Sequence, residues 1–288
     1  MKETKIGLKH FTGSWLKMSQ RFIIIGFPFF VSAILMLFLP SAKKPLRKVD
    51  QVKTIVLDAG HGGSDPGCNG AGEIWEKQVT LGVVLKLGKL ISDSMEDVRV
   101  IYTRTSDKAL KLWERPNIAN RNEADLFISV HCNANDNTSA EGSETYFMGL
   151  HKNKGNLDVA KRENSAIVYE SDYKNNDRYG GFDPNSPEGH IIFSLVQNAF
   201  LNQALRLSTY VEEETAKISD IRSRGVKQAG FLVLWQTSMP SILIETGFLT
   251  NSENRKYLKT AEGQQTVALG IFRAIKRYKQ HVELRKLK

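Results

Sequence analysis

Two of the six histidines in this 288-residue chain stand where predicted buried strands end, and together they could bind one metal ion. His61 follows the apolar run 54–59 inside a glycine-rich loop, and His131 ends the apolar run 125–131. Because ligands gather at the carboxyl ends of strands in open α/β sheets, we expect the two imidazoles to share one cleft. A lone histidine at a strand end is more often a structural hydrogen-bonding group, but two in equivalent places favour a metal site.

A catalytic zinc ion needs about three protein ligands and one open position, so a carboxylate is expected at the same edge of the sheet. Glu76 begins the helix that is predicted after the glycine-rich loop, and Glu73 is a close competitor. The residues alone leave this choice open. In a purely structural role, Glu76 would stabilise the N-terminus of its helix.

Glu245 ends the apolar run 241–245 and is the candidate general base. A zinc hydrolase needs a group that is not a ligand to take a proton from water. An acid in such an apolar run is costly to bury without a partner. The alternative is therefore a structural ion pair, with Arg104 or Arg115.

The glycine-rich loop does not fit a nucleotide site. In its sequence GHGGSD, Asp65 stands in the place of the third glycine of a dinucleotide-binding turn, and an acid there would repel a pyrophosphate. The chain also has no phosphate-binding P-loop motif.

The elements that must position these residues alternate between strand and helix. This alternation predicts an α/β fold: a single domain with a mostly parallel twisted sheet flanked by helices. The predicted strands are 54–59, 98–103, 125–131, 142–148 and 241–245, and the predicted helices are 76–94, 112–123 and 252–278.

The segment between 149 and 225 interrupts this alternation, since it has no convincing strand. We interpret 150–225 as a helical insertion in the domain, of the length often found in a lid or regulatory element. The alternative is that it supplies ordinary covering helices, in particular along the amphipathic run 190–218.

The N-terminal part of the chain predicts export or anchoring. A basic segment, 1–21, precedes the uncharged run 22–39, which is long enough to cross most of a bilayer and is interpreted as a signal anchor or a signal peptide. A linker, 40–52, joins it to the catalytic domain predicted over 53–280, and 281–288 form a basic tail.

The charge and cysteine content exclude several classes of function. The net charge of +9 comes from both ends of the chain, with +4 in residues 1–40 and +5 in the last thirteen, which argues against nucleic-acid binding. Two cysteines cannot form a disulfide framework or a zinc finger. A single disulfide between Cys68 and Cys132 is a minor alternative to two free thiols.

Four segments, in order, resemble the motifs of zinc-dependent N-acetylmuramoyl-L-alanine amidases of the amidase-3 family. They are residues 56–67, 75–77, 124–134 and 240–251. The resemblance implies that His61, Glu76 and His131 bind Zn²⁺ and that Glu245 is the general base. It thereby favours Glu76 over Glu73.

The resemblance also implies a reaction and a location. The reaction is hydrolysis of the amide between N-acetylmuramic acid and the L-alanine of peptidoglycan stem peptides, for cell-wall remodelling or daughter-cell separation. Its place would be the periplasm or another extracytoplasmic compartment, with membrane contact through the N-terminal span. Arg104 and Arg115 are candidates for binding substrate carboxylates, unless both are structural.

Some members of this family carry an insertion helix that covers the zinc and is displaced by an activator protein. We therefore expect an acid or imidazole of the insertion near the metal: Glu163, Glu170, Glu188 or His190. Two alternatives remain, a catalytically inactive peptidoglycan-binding or regulatory protein on the same fold, and a zinc carboxypeptidase.

Overall fold

The computed structural model describes residues 49–173, 177–180, 182–183, 186, 189 and 200–286. The predicted basic segment 1–21, the predicted span 22–39 and most of the linker lie outside these residues. Among the helices that are described, none is both long and apolar enough to cross a membrane.

The described residues form an α/β fold built on one six-stranded sheet, together with a two-stranded hairpin of β2 and β3. In chain order the elements are β1 (Thr54–Ala59), β2 (Asn69–Gly70), β3 (Ile74–Trp75), α1 (Glu76–Ser94), β4 (Arg99–Tyr102), α2 (Glu114–Arg121), β5 (Leu126–Asn133), β6 (Ser143–Met148), α3 (Lys154–Asn164), α4 (Leu201–Ala216), β7 (Ser223–Ala229), β8 (Ser241–Phe248), α5 (Ser252–Leu258) and α6 (Ala261–Lys286).

The sheet has the strand order β4-β1-β5-β8-β6-β7. Strands β4, β1, β5 and β8 are parallel to one another, whereas β6 is antiparallel to β8 and parallel to β7. The prediction of a mostly parallel sheet is therefore confirmed. Because β1, β5 and β8 are adjacent and parallel, the residues at their carboxyl ends meet at one edge of the sheet.

Successive residues of the strands point to opposite faces, and each face has its own apolar core. On β1, Ile55 and Leu57 pack with helices α1, α4 and α6, while Val56 packs with α2 and α3 on the other face. Helix α4 is thus a covering helix of the sheet, as the alternative interpretation of the insertion expected for part of that segment.

Two features of the fold differ from the sequence-based prediction. Strand β7 was not predicted, and its first residues fall inside the segment 150–225 that was interpreted as helical. The C-terminal helix is two helices, since α5 ends at Leu258 and α6 begins at Ala261.

A buried ion pair joins β1 to α2 beneath the candidate site. Asp58 is fully buried, and Arg115 Nη1 donates to its Oδ1 at 2.9 Å. The hydroxyls of Thr103 and Ser129 donate to the two oxygens of the same carboxylate, each at 2.6 Å. Burial raises the pKa of Asp58, but Arg115 and the two hydroxyls outweigh it, so the net pKa lies below its usual value.

We predict that Asp58→Asn lowers the free energy of unfolding by about 3 kcal/mol or more, because it leaves the buried Arg115 guanidinium without its counter-charge. The matched control is Asp97→Asn, which removes an exposed carboxylate paired with Lys53 and Lys279 and should change stability little. Urea unfolding of both variants measures the difference. Equal effects of the two substitutions would contradict the prediction.

Candidate metal centre

His61 lies just after β1 in a loop whose backbone is held in place by a hydrogen bond from Arg115. Its backbone has φ of 59°, a left-handed conformation that is uncommon for residues other than glycine. Arg115 Nη2 donates to the carbonyl oxygen of His61 at 2.9 Å, which fixes this conformation. Gly60, one residue earlier, has no side chain because a Cβ there would come within 2.5 Å of the His131 ring.

Arg104 and Arg115 are structural residues. Both are buried, and Arg104 donates to the carbonyl oxygens of Ala59 and Gly60 at 2.9 and 2.7 Å. Their guanidinium groups therefore hold the loop that carries His61. These contacts support the alternative that both arginines are structural, and neither is the ion-pair partner of Glu245.

Glu76 is the first residue of α1, and its carboxylate is buried between two backbone N–H groups. The N–H of Cys132 donates to Oε1 at 2.8 Å, and the N–H of Cys68 donates to Oε2 at 2.9 Å. Glu73, the competitor, is instead a surface residue that pairs with Lys259 and Arg255.

The two imidazoles converge on Glu76. His61 Nε2 lies 3.0 Å from Glu76 Oε1, and His131 Nδ1 lies 3.2 Å from the same oxygen. The two rings meet edge to face with their centroids 4.9 Å apart. Asp65 Oδ2 lies 2.8 Å from His61 Nδ1, so it can accept that proton and leave Nε2 as the ligand atom.

A fourth side chain, Glu163 of α3, completes the cluster. Its Oε2 lies 2.9 Å from His131 Nδ1 and 3.3 Å from His61 Nε2. Of the insertion residues expected near the metal, this is the one that the structure brings to the site. Glu170 is not a member of the cluster but lines the cavity beside it, and accepts hydrogen bonds from Tyr179 and Leu112. Glu188 and His190 lie outside the described residues.

The cluster fits a divalent metal ion. One ligand atom from each of His61, Glu76, His131 and Glu163 lies within 4.8 Å of the other three, and all four residues are buried. His61 Nε2 and Glu163 Oε2 have no hydrogen-bond partner among the described residues. Imidazole nitrogen and carboxylate oxygen in a four-coordinate set are ligands that zinc commonly takes.

The electrostatics of the cluster also favour a bound cation. Burial lowers the pKa of His131, but Glu163 and Glu76 outweigh it and raise the net pKa to about 9. Burial raises the pKa of Glu76, but His61 and His131 outweigh it and hold the net pKa well below its usual value. The positive charge of the two imidazoles thus keeps the Glu76 carboxylate ionised, and a metal ion that replaced their protons would supply that charge instead.

Glu245 lies beside this cluster and is not one of its members. It pairs in register with His131 on the adjacent strand β5, is fully buried, and has no hydrogen-bond partner for either carboxylate oxygen among the described residues. Burial, and then the charge of Glu163, raise its pKa well above the usual value. Its ion-pair partner is Arg162, whose Nη2 lies 3.7 Å from Oε1.

The two cysteines flank the site as free thiols. Cys132 Sγ lies 3.2 Å from the hydroxyl of Thr246, and the side chain packs in the apolar core. Burial raises the pKa of both thiols. Neither sulfur belongs to the ligand cluster.

A cavity of about 260 Å³ opens beside the metal cluster. His61, His131 and Glu163 form its inner end, and residues from 109–115 and 166–171 form its walls. The cavity connects three of the four cluster residues to a space that could hold part of a substrate.

The comparisons with known proteins agree with this geometry. The family model described as N-acetylmuramoyl-L-alanine amidase matches residues 55–277. The chain is 33% identical over 234 residues to the amidase AmiC of Escherichia coli O6:H1, and the match covers 80% of this chain and 53% of AmiC. It is 31% identical to the amidase AmiA of Escherichia coli K12, covering 83% of this chain and 79% of AmiA. The chain thus spans about half the length of the first of these relatives.

Solved structures show the same fold. An N-acetylmuramoyl-L-alanine amidase from Clostridium difficile 630 superposes with a TM-score of 0.58 at 25% identity, covering 79% of this chain and 97% of that one. The CwlD amidase from Clostridioides difficile, solved in complex with the GerS lipoprotein, also gives a TM-score of 0.58, at 27% identity over 78% of this chain and 98% of that one. From the family match over most of its length, the chain belongs to the amidase-3 family of N-acetylmuramoyl-L-alanine amidases.

Proposed function

We propose that this chain is a zinc-dependent hydrolase of the amide between N-acetylmuramic acid and the L-alanine of peptidoglycan stem peptides. In this proposal His61, Glu76 and His131 hold the zinc ion and Glu245 is the catalytic acid and base. The observation that carries the proposal is the convergence of these three ligands beside a buried carboxylate that has no hydrogen-bond partner among the described residues.

The chemistry divides between the metal and the protein. A bound zinc ion would polarise the amide carbonyl and make water a stronger nucleophile at neutral pH. Glu245 takes one proton from the attacking water and delivers it to the amide nitrogen. A C–O bond forms and the C–N bond breaks, the second water proton passes to the released amine, and the products are the lactyl carboxylate and the ammonium group of L-alanine. Burial raises the pKa of Glu245, which makes its ionised form a stronger base toward water.

Helix α3 is proposed to restrain this activity. It places the Glu163 carboxylate between the two imidazoles, where it would occupy the coordination position that a substrate or water needs. An amidase of this fold has been solved with a lipoprotein partner, which supports the idea that an activator protein could displace such a helix. The activator of this chain is proposed to displace α3 from the metal site.

The cellular setting follows from the substrate. Peptidoglycan lies outside the cytoplasmic membrane, so we propose an extracytoplasmic enzyme. The uncharged run 22–39 would export it or anchor it in the membrane.

We predict that Glu245→Gln lowers kcat on a soluble muropeptide by about a hundredfold or more, because the amide cannot take the proton from water. Zinc content, measured by elemental analysis, should stay at one ion per chain, whereas His131→Ala should lose zinc and activity together. Glu73→Gln is the matched control, since Glu73 lies outside the cluster. The products are identified by mass spectrometry. Full activity of the Glu245→Gln variant would rule out the proposed role of Glu245.

We predict that Glu163→Gln raises the basal rate of sacculus digestion several-fold, because an amide is a weaker ligand than a carboxylate and holds α3 less firmly at the site. Asp158→Asn is the control on the same helix, since its exposed carboxylate pairs with Lys154. Release of labelled fragments from purified sacculi measures both. A lower rate for Glu163→Gln, with zinc retained, would mean that Glu163 takes part in catalysis instead.

A further inference from the structure

The residue before Glu163 fills a second part of the same site. The Arg162 guanidinium donates from Nη1 to the carbonyl oxygen of Ala134 at 2.8 Å, and from Nη2 to Asn133 Oδ1 at 2.9 Å. Nη2 also lies 3.7 Å from Glu245 Oε1. We call these three oxygens the acceptor cradle. All three lack a hydrogen to donate when Glu245 is charged, so among hydrogen-bonding groups the cradle selects those that carry N–H or O–H donors.

Asn133 is built to present its oxygen to the cradle. The residue is fully buried at the end of β5, and its Nδ2 donates to Glu144 Oε2 at 3.0 Å. Glu144 is itself buried and fixed by Tyr146, Arg224 and Lys227. Because the amide nitrogen is committed to Glu144, Oδ1 must face the site. There it accepts the N–H of Ala134 and has room for one further donor, which Arg162 supplies.

The proposed reaction requires an N–H group at this place. Glu245 must deliver its proton to the amide nitrogen of the substrate, so that nitrogen has to lie within hydrogen-bonding reach of the Glu245 carboxylate. In the structure, the nitrogen that pairs with Glu245 is Nη2 of Arg162. Arg162 thus occupies the region that the leaving nitrogen needs, while its neighbour Glu163 occupies the ligand cluster.

We propose, resting on the function proposed above, that the acceptor cradle of Asn133, Ala134 and Glu245 binds the N–H of the scissile amide, and that Arg162 fills it as a substitute for substrate. As the nitrogen takes up a proton and gains positive charge, the two neutral oxygens of the cradle stabilise it more strongly than they stabilise the neutral amide. Asn133 is therefore a specificity and catalytic determinant, and α3 blocks the leaving-amine subsite as well as the metal.

The test uses the full-length Arg162→Ala/Glu163→Gln variant, in which the cradle has lost its occupant, and methylguanidinium as the probe. Methylguanidinium should inhibit muropeptide hydrolysis competitively and raise the thermal unfolding temperature of the chelator-treated protein. Tetramethylammonium is the matched control, because it has the same charge and no N–H group, and it should do neither. In wild type, where Arg162 fills the cradle, the shift in unfolding temperature should be absent.

Asn133→Ala in the same background should weaken methylguanidinium binding and lower kcat, each roughly tenfold or more, with little change in KM. If Asn133 had a purely structural role, the Asn133→Ala substitution would instead lower the unfolding temperature and leave kcat/KM unchanged. Equal effects of methylguanidinium and tetramethylammonium would overturn the proposal that the cradle binds N–H groups. Noncompetitive inhibition by methylguanidinium would do the same. A methylguanidinium-dependent shift without any hydrolysis would support the cradle as an N–H site and overturn the proposed function.

Discussion

The rest of the site depends on the buried carboxylate of Glu76. Removing a carboxylate from water is costly unless hydrogen bonds and positive charge surround it. Two backbone N–H groups, from Cys68 and Cys132, and two imidazoles provide these here. Because the donors come from the loop after β1 and from the end of β5, the carboxylate fixes the distance between two strands. The same contacts hold His61 and His131 in position to share one ion.

Much of the fold could be predicted from the sequence, because buried parallel strands are short apolar runs and their ends are marked by glycine or polar residues. Helix α1 begins and ends at the predicted residues. Strand β7 could not be found in this way: as an edge strand it keeps polar side chains, among them Arg224 and Lys227, so it lacks an apolar run. The break between α5 and α6 has no proline, and its one local signal is Thr260, whose hydroxyl accepts the N–H of Gly263 and so caps α6.

The candidate site was less accessible to sequence reasoning where it depends on packing between distant segments. The strand ends pointed to His61, His131 and Glu245, but the choice between Glu76 and Glu73 needed the family resemblance. Nothing local distinguishes Glu163 from the other acids of the insertion, since its position is decided by how α3 packs on the sheet. For the same reason the structural role of Arg104 and Arg115 could be given only as an alternative to substrate binding: an arginine that hydrogen-bonds buried carbonyl groups has no sequence pattern.

Helix α3 has few apolar contacts with the sheet and is held mainly by polar ones. It contributes the small apolar side chains of Val159 and Ala160 to the core. Its polar anchors are hydrogen bonds from Asn156 and Asn164 to β7 and the residue after it, together with the contacts that Arg162 and Glu163 make at the site. The main core of α1, α4 and α6 lies on the opposite face of the sheet. Undocking of α3 is therefore a local equilibrium whose free energy is separate from that of global unfolding, and natural selection could tune the fraction of active molecules without altering the thermal tolerance of the enzyme.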